Sequence, residues 1–112
     1  MKNSFLERRV YPRLNQDMPL KLLLEGFDVE AESRNISASG LYCRVSKHFE
    51  LMTKLKIIMF LPSSANKKII CSGVVVRTEV DSDGDNHIAI FFTDIKKTDQ
   101  QKIAEYIKQN LC

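Results

Sequence analysis

From Pro19 to Phe92 the apolar side chains recur at every second position, and that period limits the folds open to this chain more than any other feature. A period of two puts alternate residues on opposite faces of an extended strand, so each run buries one face and wets the other. In "PLKLLLE", Leu20, Leu22 and Leu24 share a face. In "DVEAESRN", Val29, Ala31 and Ser33 point one way while Asp28, Glu30, Glu32 and Arg34 point to water. "LYCRV" sets Leu41, Cys43 and Val45 opposite Tyr42 and Arg44, and "KLKIIMFLP" aligns Leu55, Ile57, Met59 and Leu61 before ending at Pro62. "IICSGVVVRTEV" reads as one long strand, and "HIAIFF" turns Ile88, Ile90 and Phe92 inward.

Turn chemistry separates these runs. Gly26 marks one turn, "SSANKK" a polar loop, and Gly84 in "DSDGDN" a turn that accepts positive φ. Gly73, inside the long run, predicts a bulge or sharp bend. After Phe92 the period changes. Thr98 with Gln101 three residues on has the form of a capping box, and Ile103, Tyr106, Ile107 and Leu111 recur at helical spacing. The expectation is a mainly β fold: six short antiparallel strands closed into a barrel, which removes exposed edges, with one C-terminal α-helix.

A chain of 112 residues holds one hydrophobic core. No apolar run approaches the roughly 18 residues that cross a bilayer, and "MKNSFLERRVYPR" lacks the apolar stretch of a secretory signal. The expectation is therefore a cytoplasmic protein without membrane insertion. Three cysteines, with no C-x-x-C pair, suggest neither a disulfide framework nor a metal site. His48 and His87 stand far apart with no evident triad partners, and Ser37 has no G-x-S-x-G setting. "DSDGDN" fails as a calcium loop because its glycine comes too early and Phe92 occupies the position of the bidentate Glu. No catalytic residue, metal or cofactor is expected.

Two stretches carry binding chemistry. The net charge is only +3, but among the first sixteen residues Glu7 is the only acid, against Lys2, Arg8, Arg9 and Arg13. Within "RRVYPR", Pro12 disfavours a helix and pushes Tyr11 towards extended backbone. An extended strap is expected there, presenting the guanidinium groups of Arg9 and Arg13, with Arg8 as a further candidate. Guanidinium is planar, permanently charged and bidentate towards phosphate oxygens and guanine O6 and N7. The second stretch is "NISASG", read as the connection between a strand ending at Arg34 and one beginning at Leu41. Asn35 offers an amide and Ser37 a hydroxyl, two apart and so on one side of an extended segment, while Gly40 permits close backbone approach or positive φ.

Together "RVYPR", "NISASG", the following strands and the last helix resemble the PilZ domain family, whose motifs are R-x-x-x-R and (D/N)-x-S-x-x-G. "SGVVVR", with Gly73 and Arg77, also resembles the family's later Gly-x-Val strand. The resemblance implies a PilZ-like split barrel over residues 17–112, a flexible arginine strap over residues 1–16, and binding of cyclic di-GMP, a bacterial second messenger. It implies that Arg9 and Arg13 grip guanine edges and phosphates, that Asn35 bonds a guanine edge and Ser37 a polar group of the ligand, and that Gly40 allows close approach. Asparagine in place of aspartate predicts weaker affinity. Four charge-assisted bonds at about 1.5–3 kcal/mol each nearly cancel the cost of ordering five strap residues at about 1–2 kcal/mol each, leaving base stacking to decide. The expected output is a strap that orders on ligand binding and signals to a protein partner. Two alternatives remain open: a PilZ-like module that binds only proteins, and a small-barrel single-strand DNA or RNA binder using Tyr42 beside Arg44.

Overall fold

The computed structural model describes residues 18–24, 26–61 and 67–110. The six strands are β1 (Met18–Leu24), β2 (Phe27–Ile36), β3 (Gly40–Val45), β4 (Lys54–Leu61), β5 (Lys67–Val80) and β6 (Asn86–Asp94), followed by helix α1 (Lys97–Asn110). All pair antiparallel, and the ring closes in the order β1-β2-β3-β6-β5-β4 because β1 pairs with both β2 and β4. The expected six-stranded barrel with a C-terminal helix is what forms.

The period-two pattern becomes the barrel interior. Leu20, Leu22, Val29, Ser33, Leu41, Cys43, Val45, Leu55, Ile57, Met59, Leu61, Ile88, Ile90 and Phe92 are buried, with Leu24 and Ala31 partly buried against them. At about 1.5–3 kcal/mol for each large aliphatic or aromatic side chain, this burial drives closure. Ile103, Tyr106 and Ile107 of α1 join the same core, so one helix face completes what the strands leave open.

β5 needs two irregularities to follow the barrel curvature. Its register against β6 shifts between Ser72 and Gly73 and again between Val75 and Arg77. Gly73 sits at the first slip, whose extra residue is Thr93 of β6, and a Cβ there would lie 2.6 Å from Ile90 Cγ2 and 2.9 Å from the Phe91 carbonyl oxygen. Gly84 takes φ 86 in the turn between β5 and β6, as expected.

Several boundaries differ from those the sequence pattern predicts. β2 runs on to Ile36 and β3 starts at Gly40, so only Ser37, Ala38 and Ser39 connect them. Lys67 and Lys68 belong to β5 rather than to the preceding loop, whose residues 62–66 lie outside the described ones. Thr98 is not a cap: α1 begins at Lys97, and the carbonyl of Lys96 accepts the first bonds, from the N–H groups of Asp99 and Gln100, each at 3.0 Å. Asp99 instead supplies the favourable negative charge in the first turn. Leu111 also lies outside the described residues.

Candidate functional site

The site begins with a fault in the ladder. β2 and β3 pair regularly from Ala31↔Val45 to Ser33↔Cys43, then slip, so that Asn35 faces Tyr42 and Ile36 faces Leu41. Arg34 is the extra residue. A bulge reverses the inside–outside phase of the strand beyond it. Strict alternation would carry Asn35 inward behind Ser33; here Asn35 is only partly buried and Ile36 fills the core at 1% exposure.

The phase change builds a row on the outer wall. Asn35 pairs with Tyr42, Tyr42 with Ala89, and Ala89 with Arg77. Four neighbouring strands thus contribute one residue each, spanning about 14 Å at the usual strand spacing of about 4.8 Å. Ala89 is small, which leaves the flanking side chains free to meet over it. The Arg77 guanidinium carbon sits 5.5 Å from the Tyr42 ring centroid, and its Nε is 3.3 Å from Glu79 Oε2. Tyr42 also stacks on His87, with centroids 5.5 Å apart and planes 9° from parallel. The Tyr42 hydroxyl donates to Glu79 Oε1 at 2.7 Å. Partial burial, then this hydrogen bond and the Glu79 charge, push the phenol above its ordinary value of 10.0.

A groove of about 300 Å³ runs beside the row, lined by Ser39, Gly40, Tyr42, Arg77, Val76 and Phe91 among others. Val76 is the bulged residue of β5, and it and Phe91 are about half exposed, at 49% and 52%. The groove thus offers an aromatic ring, an apolar floor and a cation beside a polar turn, a set suited to a flat, anionic ligand.

The expected site residues do not all sit alike. Asn35 lies on the outer wall opposite Tyr42 but does not line the groove, whereas Ser37 does. Ser37 is buried, with 2% exposure, rather than sharing Asn35's outer face. Its hydroxyl accepts from the Ser39 N–H at 3.3 Å and donates to the Gly40 carbonyl at 3.3 Å, while its own N–H bonds that carbonyl at 2.9 Å. Ser37 therefore holds the turn. Gly40 does not take positive φ; a Cβ there would fall on the carbonyl oxygen of Ile90, so glycine lets β3 approach β6. Arg8, Arg9 and Arg13 lie outside the described residues. The start of β1 does locate their tether: Met18 pairs with Ser33, two residues from Asn35. Met18 is five positions beyond Arg13, a reach of at most about 18 Å.

Arg77 and Tyr42 belong to this face, although the sequence motifs assign neither to the ligand site. Period signalled only Tyr42, which falls on an outward position of β3; strict alternation would put Arg77 inside with Ile69, Cys71 and Val75, and the bulge at Val76 turns it outward. Their approach depended on strand order, which the pattern alone does not state. At the far end of the face, Arg44 is held by Glu32 at 2.9 Å and Asp85 at 3.5 Å, and Asp81 receives His87 Nε2 at 2.7 Å.

A closed six-stranded antiparallel barrel with a polar turn beside its outer groove and a C-terminal helix is the architecture of the PilZ class. Residues 7–109 match the family model of the PilZ domain, and the chain belongs to that family. Its fold is similar to the structure of the Bacillus subtilis inhibitor of motility MotI/DgrA, with a TM-score of 0.83 and 24% identity; the match covers 93% of this chain and 51% of that one, so this chain spans about half of it. It is similar also to the PilZ domain of YcgR from Escherichia coli with c-di-GMP, with a TM-score of 0.67 and 12% identity over 91% of this chain and 90% of that one. The PilZ domain of CeSA from a cellulose-synthesizing bacterium has a TM-score of 0.57 and 14% identity over 88% and 92%. Comparison with curated protein sequences returns no match. Among the described residues, no helix is long and apolar enough to cross a membrane.

Proposed function

We propose that this domain is a cyclic di-GMP receptor that acts on a protein partner. In this reading Asn35 bonds a guanine edge, Tyr42 and Arg77 offer planar surfaces to a base, and Arg9 and Arg13 close from the chain start onto phosphates and the second base. The observation that carries it is the row Asn35–Tyr42–Ala89–Arg77 beside the turn, next to the point where the arginine-bearing segment joins β1. The similar YcgR domain, which holds c-di-GMP, supports the ligand. MotI, described as an inhibitor of motility, supports a regulatory output. The signal has two routes: the strap itself, ordered over residues 4–16, and α1, whose Gln100 side chain donates to the Ala38 carbonyl in the turn at 3.2 Å.

Calorimetric titration with cyclic di-GMP tests the reading, with GTP as control and Arg13→Ala and Asn35→Ala as variants. Saturable binding lost in both variants supports it; no binding at millimolar ligand ends it. Hydrogen exchange over residues 4–16 tests the ordering step, and unchanged protection at saturation rules that step out.

A second reading has its own observation. Ser37 and Gly40 are each accounted for by turn bonding and strand packing, so both positions fit equally a module that engages proteins without nucleotide. The same titration decides between them. A nucleic-acid surface fits poorly, because Glu32 and Asp85 neutralise Arg44, and Glu79 lies against Tyr42. Nucleic acid needs unpaired cations along its path.

A further inference from the structure

On the opposite wall the surface has a different character. In the closed order β4 stands three strands from β3 in either direction, across the barrel from it. The outward side chains of β4 are Lys54, Lys56, Ile58 and Phe60. Ile58 pairs with Ile70 of β5 on one side and Lys21 of β1 on the other, and Phe60 pairs with Lys68. Phe60 and Ile70 are 54% and 47% exposed. Lys68 Nζ lies 5.9 Å from the Phe60 ring centroid. This wall therefore has an apolar end, flanked by Lys21 and Lys68, and a cationic end at Lys54 and Lys56.

Its cationic end opens into an apolar recess of about 570 Å³. Leu23, Leu24, Leu55 and Val74 line it between Lys54 and Lys56. Neither lysine has a carboxylate within ion-pair distance among the described residues, whereas Lys21 lies 3.9 Å from Asp28. Asp28 and Asp94 stand one strand beyond the recess on either side, opposite Leu23 and Ser72, and neither reaches a lysine of the recess; further carboxylates lie away from it, at Glu30 and Glu32 along β2 and at Asp81, Asp83 and Asp85. Exposed apolar area flanked by unpaired cations calls for a complementary surface that is apolar and acidic.

We propose that the wall formed by β1, β4 and the first half of β5 docks an acidic, amphipathic helical segment of a partner protein. Its apolar face packs on Ile58, Phe60, Ile70 and the recess, and its carboxylates meet Lys54 and Lys56. Three observations select this occupant. The barrel is closed, so this wall has no free edge for strand addition and recognition falls to side chains. The apolar groups of the recess lie sunken between lysines, which suits an inserted side chain better than a flat lipid surface. The chain's own residues 1–17 carry Lys2, Arg8, Arg9 and Arg13 against Glu7 and Asp17, the wrong charge for this wall. The proposal does not depend on nucleotide binding.

The test uses the full chain in solution, with amide shifts read by NMR. The probe is a synthetic peptide of about 18 residues, long enough to be helical in water, built of leucine at i, i+3, i+4, i+7 spacing with glutamate between. Expected are shifts over residues 54–60 and 68–70, and an affinity about tenfold weaker in the Lys54→Glu/Lys56→Glu double variant, where two attractions become repulsions. Phe60→Ser, changed at an exposed position, should weaken binding without altering the spectrum elsewhere. Four outcomes overturn the proposal: no shift at millimolar peptide, equal binding of a peptide with lysine for glutamate, the same shifts with phosphatidylcholine–phosphatidylglycerol vesicles but not with peptide, or the same shifts on concentrating the protein alone, which would indicate a second copy.

Discussion

The backbone of Gly40 runs against the carbonyl of Ile90 so closely that no side chain fits between β3 and β6. Gly40 pairs there with Phe91, at the head of the ladder beside the turn. Gly40→Ala must move one strand, so we expect a loss of about 1–3 kcal/mol, the usual cost of overpacking. Urea denaturation measures it. A variant as stable as the parent would show that the strands part without cost.

Ser37 and Ser33 make opposite predictions. The Ser37 hydroxyl serves two turn bonds, and Ser37→Ala should cost about 0.5–1.5 kcal/mol. Ser33 is fully buried on the core face, and its hydroxyl has no hydrogen-bond partner among the described residues. Ser33→Ala removes a desolvated polar group and should be neutral or stabilising by about 1 kcal/mol. Both are read from denaturation midpoints.

Burial pushes the thiols of Cys43 and Cys71 up to about 12. In the unfolded chain they ionise near their ordinary value of 9.0, so above that pH the unfolded state binds fewer protons than the folded one. Stability should fall as pH rises from about 9 towards 12, by up to about 1.4 kcal/mol per unit for each thiol. At pH 8, both should resist a thiol reagent until the protein unfolds.

The Asp81 carboxyl is held below its ordinary 3.8, first by the bond to His87 and then by the N–H groups of Asp85 and Asp83. Its folded value is depressed, so its contribution is present above 3.8 and is lost as pH falls through the folded value. Carboxyl titration by NMR should place Asp81 below 3.8 in the parent and higher in His87→Phe.

Tyr42 and Arg77 separate binding from stability. Both are outward and their contacts are exposed, so Arg77→Ala should change stability by no more than about 0.5 kcal/mol. If the proposed receptor function holds, cyclic di-GMP affinity should drop roughly tenfold in Arg77→Ala and in Tyr42→Ala, at about 1–3 kcal/mol per stacked base. Calorimetry gives both numbers. Unchanged affinity would remove this row from the site.

The amino-acid order alone determined which face of each uninterrupted run meets the core, because between bulges a period of two survives any arrangement of strands. Leu20 and Leu22, Leu41 and Cys43, and Ile88 and Ile90 were legible for that reason, as were an irregularity at Gly73 and the turn at Gly84. The R-x-x-x-R and N-x-S-x-x-G motifs marked the family for the same local reason. What only the tertiary structure decided depended on partners distant in the chain. The ladder slip at Arg34, which turns Asn35 outward to Tyr42, is a property of β2 against β3. The meeting of Arg77 with Tyr42 over Ala89 required β6 to lie between β3 and β5. The helix start shifted from Thr98 to Lys97 because packing α1 on the barrel core outweighs a cap of about 1 kcal/mol. Strand order and bulges arise from closing the ring, and no window of a few residues contains that constraint.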